Sequence, residues 1–180
     1  MTISASTTLP QMAFIVGTAL RSDHWSAVLT GGAAAAVYAP IEVQSHDLDF
    51  VFEFKLIEEA IPEKRILALG FRRQGTLYAH DLVPFTLEFP SGPLAIGEEL
   101  VNGWTTLTDG DLSLDILSPT DSVKDRLCWF LHYGDVAGMA QALAVARAQQ
   151  IDLANVERWA AREGRPDRFA IFLKELERGS

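Results

Sequence analysis

The chain has 180 residues, 48% apolar and 22% charged, enough to bury a sizeable core and typical of a folded globular protein rather than a disordered one. A formal net charge of −9 argues against a broad nucleic-acid-binding surface, because such binding rests on neutralising many phosphates. A single cysteine, Cys128, excludes an intramolecular disulfide and points to a core or helix-packing role in a reducing compartment.

In chain order, residues 7–20 read as a helix. Its apolar run, Met12 to Leu20, is too short to span a bilayer and no basic segment precedes it, so a cytoplasmic location without membrane association is expected. Ala27-Val28-Leu29 reads as a short strand and Ala33 to Tyr38 as an alanine-rich helix, which places Thr30-Gly31-Gly32 where strand becomes helix. Glycines there leave backbone N–H groups open, and the positive end of the helix adds to their attraction for an anion.

The next element, Ser45-His46-Asp47-Leu48-Asp49-Phe50, continues as a strand over 48–54. Side chains alternate along a strand, so Leu48, Phe50, Phe52 and Phe54 form one face, and Asp47, Asp49, Val51 and Glu53 the other. If the acidic face belonged to an edge strand in water, the pattern would be purely structural. Neighbouring like charges on one face are unfavourable, however, and a Lys or Thr would serve such a strand better. A divalent cation removes the repulsion, and magnesium fits: it takes one or two carboxylates and fills its shell with waters and phosphate oxygens.

A helix over 56–68, interrupted or started by Pro62, is followed by short strands near 70–80, 85–89, 104–108 and 111–116, joined by turns such as Thr108-Asp109-Gly110-Asp111. Ser118-Pro119-Thr120-Asp121 then announces a helix: a Ser cap, Pro at the first position and an acid in the first turn. Helices over 119–133, 135–149, 152–163 and 166–178 complete the chain. Asp135 after Gly134 reads as a helix cap following a helix stop. The expectation is an α+β fold, a mixed sheet over 1–117 flanked by helices, with a C-terminal helical bundle over 118–180 packed on it. His24, His46, His80 and His132 show no zinc spacing. Arg158, Arg162 and Arg165 share a helical face, read as a solvated face paired with Glu157 and Glu163; Lys64-Arg65 and Arg72-Arg73 are the other basic clusters.

Gly31-Gly32 followed by Ser45-x-Asp47-Leu48-Asp49-Phe50 resembles the nucleotidyltransferases of the DNA polymerase β superfamily. The likeness is to its small, minimal branch, and within it to the AbiEii-type toxin nucleotidyltransferases; it is specific over residues 28–54 and general elsewhere. It implies a nucleotidyltransferase-like sheet, one or two Mg2+ ions, and transfer of an NMP from an NTP to a hydroxyl acceptor. Asp47 and Asp49 would be metal ligands and catalytic residues, with Thr30, Gly31, Gly32 and Ser45 around the nucleotide. The family also needs a third carboxylate from a later strand. Glu88 is chosen over Asp81 and Asp115 because it sits in an apolar strand opposite Phe85, Leu87 and Phe89; it would be a metal ligand and the base. Lys124, on the helix after the sheet, would contact phosphate, its alternative being a surface partner of Asp121; a family Asp near Asp135 is also noted. The resemblance further implies a toxin or phage-defence role, with a small molecule, tRNA or protein as acceptor and a cognate antitoxin protein as partner.

Three departures favour a different reading, a catalytically inactive relative that binds a nucleotide or a protein partner. The third carboxylate is Glu rather than Asp, Ala33 stands where a hydroxyl residue is common, and the chain is shorter than most such toxins.

Overall fold

The computed structural model describes residues 3–21, 26–53 and 62–179. Helix α1 (Leu9–Leu20) starts at a reciprocal cap, in which the Thr8 hydroxyl accepts from the Gln11 N–H and the Gln11 side chain accepts from the Thr8 N–H. Strand β1 (Ala27–Thr30) leads directly into α2 (Gly31–Tyr38), and β2 (Asp47–Phe52) returns antiparallel beside β1. The short helix α3 (Glu63–Ala68) precedes a hairpin of β3 (Arg72–Gln74) and β4 (Leu77–Ala79), then β5 (Thr86–Glu88). A small separate hairpin, β6 (Ala95–Ile96) with β7 (Glu99–Leu100), comes before the β8 (Thr105–Asp109) and β9 (Leu112–Ile116) hairpin. Four helices follow: α4 (Pro119–Tyr133), α5 (Val136–Ala148), α6 (Leu153–Arg162) and α7 (Pro166–Arg178).

The main sheet is mixed, with seven strands in the order β3-β4-β5-β2-β1-β9-β8; the pairs β1/β9 and β2/β5 are parallel and the others antiparallel. The fold is thus a mixed α/β arrangement with C-terminal helices. The helix expected from residue 56 falls partly outside the described residues, where Phe54 also lies, and the described helix begins at Glu63. The β6–β7 hairpin was not foreseen. Its strands are two residues each and carry too little pattern to read.

Register assigns the faces. Leu29 faces Phe50 and Ile116, and Leu48 faces Leu87, so these residues line one side of the sheet, and all are fully buried. Helix α1 crosses the same side closely. A Cβ placed on Gly17 would lie 2.9 Å from Leu114 Cδ1 and 3.2 Å from the Ser113 carbonyl, so this approach depends on having no side chain. The opposite side carries Thr30, Asp47, Asp49, Thr86, Glu88 and Asp115.

Bonds between the two halves cross the position expected as a boundary, residue 117. Gln149 Nε2 donates to the Tyr38 carbonyl at 3.0 Å. Trp159 of α6, completely buried, donates from Nε1 to the Ile96 carbonyl of β6 at 3.4 Å. The helix starts behave as their sequences require: Ser118, Asp135 and Asp152 each accept a backbone N–H from the first turn. Gly134, at φ 73°, ends α4 in the left-handed conformation. Among the described residues no helix is long and apolar enough to cross a membrane.

Candidate functional site

The acidic strand is internal. β2 lies between β1 and β5, which removes the edge-strand explanation for its carboxylates. Parallel pairing sets Asp47 beside Thr86 and Asp49 beside Glu88, while antiparallel pairing sets Asp49 beside Thr30, the last residue before the Gly-Gly turn. Neighbouring residues in register share a face, so Asp47, Asp49 and Glu88 are gathered at the place where β1 becomes α2. The other two candidates for a third carboxylate lie elsewhere. Asp81 follows β4 and forms an exposed ion pair with Arg72; Asp115 is on β9, separated from β2 by β1, and accepts from Thr106 Oγ1 at 2.6 Å.

Close approach defines the turn. Gly31 has φ 69°, and a Cβ there would sit 2.6 Å from Asp49 Oδ2, so any other residue would be both strained and in collision with the carboxylate. A Cβ on Gly32 would lie 3.1 Å from Ser45 Oγ and 3.7 Å from Gln141 Nε2. Ser45 holds the entry to β2, its hydroxyl donating to the Asp47 carbonyl at 3.2 Å and accepting from the Asp47 N–H at 3.4 Å. Thr30 Oγ1 donates to the Asp49 carbonyl at 3.3 Å, and its side chain does not cap α2. The sequence-derived set Thr30, Gly31, Gly32, Ser45, Asp47, Asp49 and Glu88 is therefore one spatial group.

Its electrostatics are unbalanced. Burial, then the charges of Glu88 and Asp47, push Asp49 up from its ordinary 3.8 to about 6; Arg126 opposes this and Asp125 adds to it. Asp47 Oδ1 accepts from Thr86 Oγ1 at 2.5 Å, which gives one of its oxygens a neutral donor. Among the described residues no three His, Cys, Asp or Glu side chains already close into a metal cage. The donor chemistry nonetheless suits a hard divalent cation: carboxylate oxygens alone, on adjacent register positions, with an excess of negative charge that adds to burial in raising the pKa of Asp49.

Lys124 is placed differently from its expected role. It is 2% exposed, and its ammonium donates to Glu99 Oε1 at 2.8 Å and lies 3.2 Å from Asp121 Oδ1. The partnership with Asp121 is present, but it is buried rather than on the surface, because the β6–β7 hairpin folds over α4 and brings Glu99 to it. Asp135 caps α5. The paired residues of the basic helix face also differ from expectation: Arg162 pairs with Glu99 and Arg165 with Asp167, while Glu163 pairs with His132.

No family model, curated protein or solved structure matches this chain.

Three residues at the turn were not singled out from sequence: Asp125, Arg126 and Gln141. Asp125 Oδ2 accepts from the Gly31 N–H at 3.2 Å and from Arg126 Nε and Nη2 at 3.0 and 2.7 Å. Arg126 Nη1 donates to Gln141 Oε1 at 3.4 Å. Asp125 and Arg126 follow Lys124 directly, and at about 100° of helix rotation per residue they point toward α2 when Lys124 points toward the hairpin. Position on the helix was the only available signal, and it required knowing which side α2 occupies. Gln141 also lines an open groove of about 560 Å³ between residues 42–44 and α5, walled by Val43, Ala137, Ala140 and Ala144.

Proposed function

We propose that this chain is a magnesium-dependent nucleotidyltransferase, moving an NMP from an NTP to a hydroxyl acceptor. The observation that carries the reading is the register: Asp49 has Glu88 on one side and Thr30 on the other, so the carboxylates stand beside the Gly-Gly start of α2. A strand-to-helix turn next to metal-type carboxylates is what nucleotidyl transfer requires, since the reaction needs a phosphate grip and charge neutralisation within a few ångströms of each other. The mixed sheet with its Asp-x-Asp strand in the interior supports the finer assignment to a nucleotidyltransferase-like fold.

In this reading Asp47, Asp49 and Glu88 would hold one or two Mg2+ ions, which would neutralise the triphosphate and make the attacking hydroxyl more acidic. The Gly31 N–H, which Asp125 Oδ2 holds at 3.2 Å, and the Gly32 N–H would orient the departing β- and γ-phosphates once the nucleotide takes them. Gly31 can lie this close to Asp49 only because it lacks a side chain, so the same glycine keeps phosphate and carboxylates together. Ser45 and Thr30 fix the two strands that carry them. Glu88, half-buried at the neighbouring register position, accepts the proton of the attacking oxygen. The alanine-walled groove beside Gln141 offers room for the nucleoside or for an acceptor.

The acidic chain, at −9, favours a small or protein acceptor over extensive contact with tRNA. A toxin or phage-defence role with a cognate antitoxin, in the cytoplasm, belongs to the same reading. The competing reading, an inactive relative that only binds a nucleotide or a partner, is favoured by Glu at the third position and by Ala33 after the glycines.

Calorimetric titration with each of the four NTPs, with and without Mg2+, tests the site. Wild type should bind at least one NTP only with Mg2+, and Asp47→Asn/Asp49→Asn should abolish that binding; equal binding by the double variant would sink the assignment. Transfer of label from an α-phosphate-labelled NTP separates an enzyme from an inactive binder.

A further inference from the structure

The arrangement of Asp125 and Arg126 deepens this reading and rests on it. Asp125 Oδ2 is an anionic oxygen surrounded by three donors: the Gly31 N–H at the start of α2, and Nε and Nη2 of Arg126. We propose that Arg126 is the side-chain cation that receives the triphosphate, and that the Asp125 carboxylate is an internal stand-in for a phosphate oxygen, which the nucleotide displaces from the same donors.

Several observations converge on this assignment. Lys124, the other cation on this stretch of α4, is buried and already neutralised by Glu99 and Asp121, so it has no free charge to offer. Arg126 is mostly buried, its side chain 14% exposed, and Gln141 holds its remaining terminal nitrogen, so the guanidinium is oriented before any ligand arrives. A guanidinium fork held from behind is suited to an anion with more than one oxygen. Asp125 Oδ2 takes both Arg126 and the Gly31 N–H, and Gly31 lies against Asp49, which places the cation beside the carboxylates rather than on a remote surface. A phosphate oxygen is chemically equivalent to Asp125 Oδ2 as an acceptor, and the donors need no rearrangement to switch from one to the other.

The test is calorimetry with inorganic triphosphate in MgCl2 on the full chain, which isolates the phosphate grip from base recognition. Arg126→Gln should weaken binding at least about tenfold, as expected for loss of charge-assisted hydrogen bonds. Arg126→Lys, which keeps the charge but not the fork, should fall between wild type and Arg126→Gln. Asp125→Asn keeps an acceptor for the Gly31 N–H while removing the competing charge, and should bind triphosphate about fivefold more tightly. Melting curves establish that each variant is folded. If wild type binds and Arg126→Gln binds equally well, or if Lys124→Met alone abolishes binding, Arg126 is not the phosphate cation. Weaker binding by Asp125→Asn would refute the stand-in role, since a residue that merely positions Arg126 would be missed rather than displaced. If wild type binds neither triphosphate nor any NTP, the nucleotidyltransferase reading fails and this inference falls with it.

Discussion

Two charged regions lie on either side of α4, and their electrostatics run in opposite directions. Around Lys124, Glu99, Asp121 and Arg162, opposite charges are matched, and Glu99 is held below the ordinary carboxylate range, first by the hydrogen bond from Lys124 and then by the cations of Lys124 and Arg162 against a cost of burial. Around Asp49, three carboxylates lie close to one another with Arg126 as the cation opposing them, and Asp49 is pushed up to about 6. The first region fastens the β6–β7 hairpin to α4 and α6. The second carries a charge excess that costs stability, in keeping with the proposed metal site.

The largest effect should come from breaking the matched region. Lys124→Ala leaves Glu99 and Asp121 without the cation between them and opens a gap under the hairpin. It should cost about 2–3 kcal/mol, less than a fully buried pair because Arg162 still reaches Glu99. Urea unfolding measures this, and a loss below about 0.5 kcal/mol would show that the pair behaves as a surface contact.

The unmatched region should respond with the opposite sign. Asp49 is neutral in both folded and unfolded chains below its ordinary 3.8. Between there and about 6 the unfolded chain ionises first, so this group's contribution to stability is lost as pH rises and stays lost above about 6. Asp49→Asn, which cannot ionise, should therefore be more stable than wild type at pH 8 by about 1 kcal/mol, after discounting for solvent screening, and equal to it at ~pH 3, below the ordinary value. Thermal melts at the two pH values decide it. A variant equally destabilised at both would show that the Asp49 carboxylate is structurally satisfied.

Cys128, on α4 between the two regions, gives the finest probe. Burial and then the charges of Glu163 and Asp125 push its thiol up to about 11. Alkylation by iodoacetamide at pH 8 should be about a hundredfold slower than for an exposed cysteine. In Asp125→Asn the rate should rise modestly, and mass spectrometry of the labelled chain reads both. Alkylation of wild type as fast as a free thiol would place Cys128 outside this acidic environment.

Much of the site was legible because it is local in sequence. Thr30-Gly31-Gly32 and Ser45 to Asp49 sit on two strands joined by one helix, and antiparallel pairing of consecutive strands makes their proximity a short-range matter. Glu88 was a more distant choice, made from apolar alternation, and its register beside Asp49 is long-range pairing that no local pattern specifies. Lys124 shows the limit in the other direction. Its helix, cap and partner Asp121 could all be read, but its burial depends on Glu99, from a hairpin whose two-residue strands carry no periodic signal.

The sequence by itself determined where the elements start and stop, through Ser118, Gly134, Asp135 and Asp152, and which face of β2 is acidic, because caps and alternation act within a few residues. Tertiary structure decided which side chains of α4 meet the Gly-Gly turn and which meet the hairpin. Lys124, Asp125 and Arg126 are adjacent in the chain and alike in being charged, yet helix rotation sends the first into a matched ion pair and the other two to the start of α2. That division depends on how α4 packs between α2 and β6–β7, a long-range property that composition and local pattern do not encode.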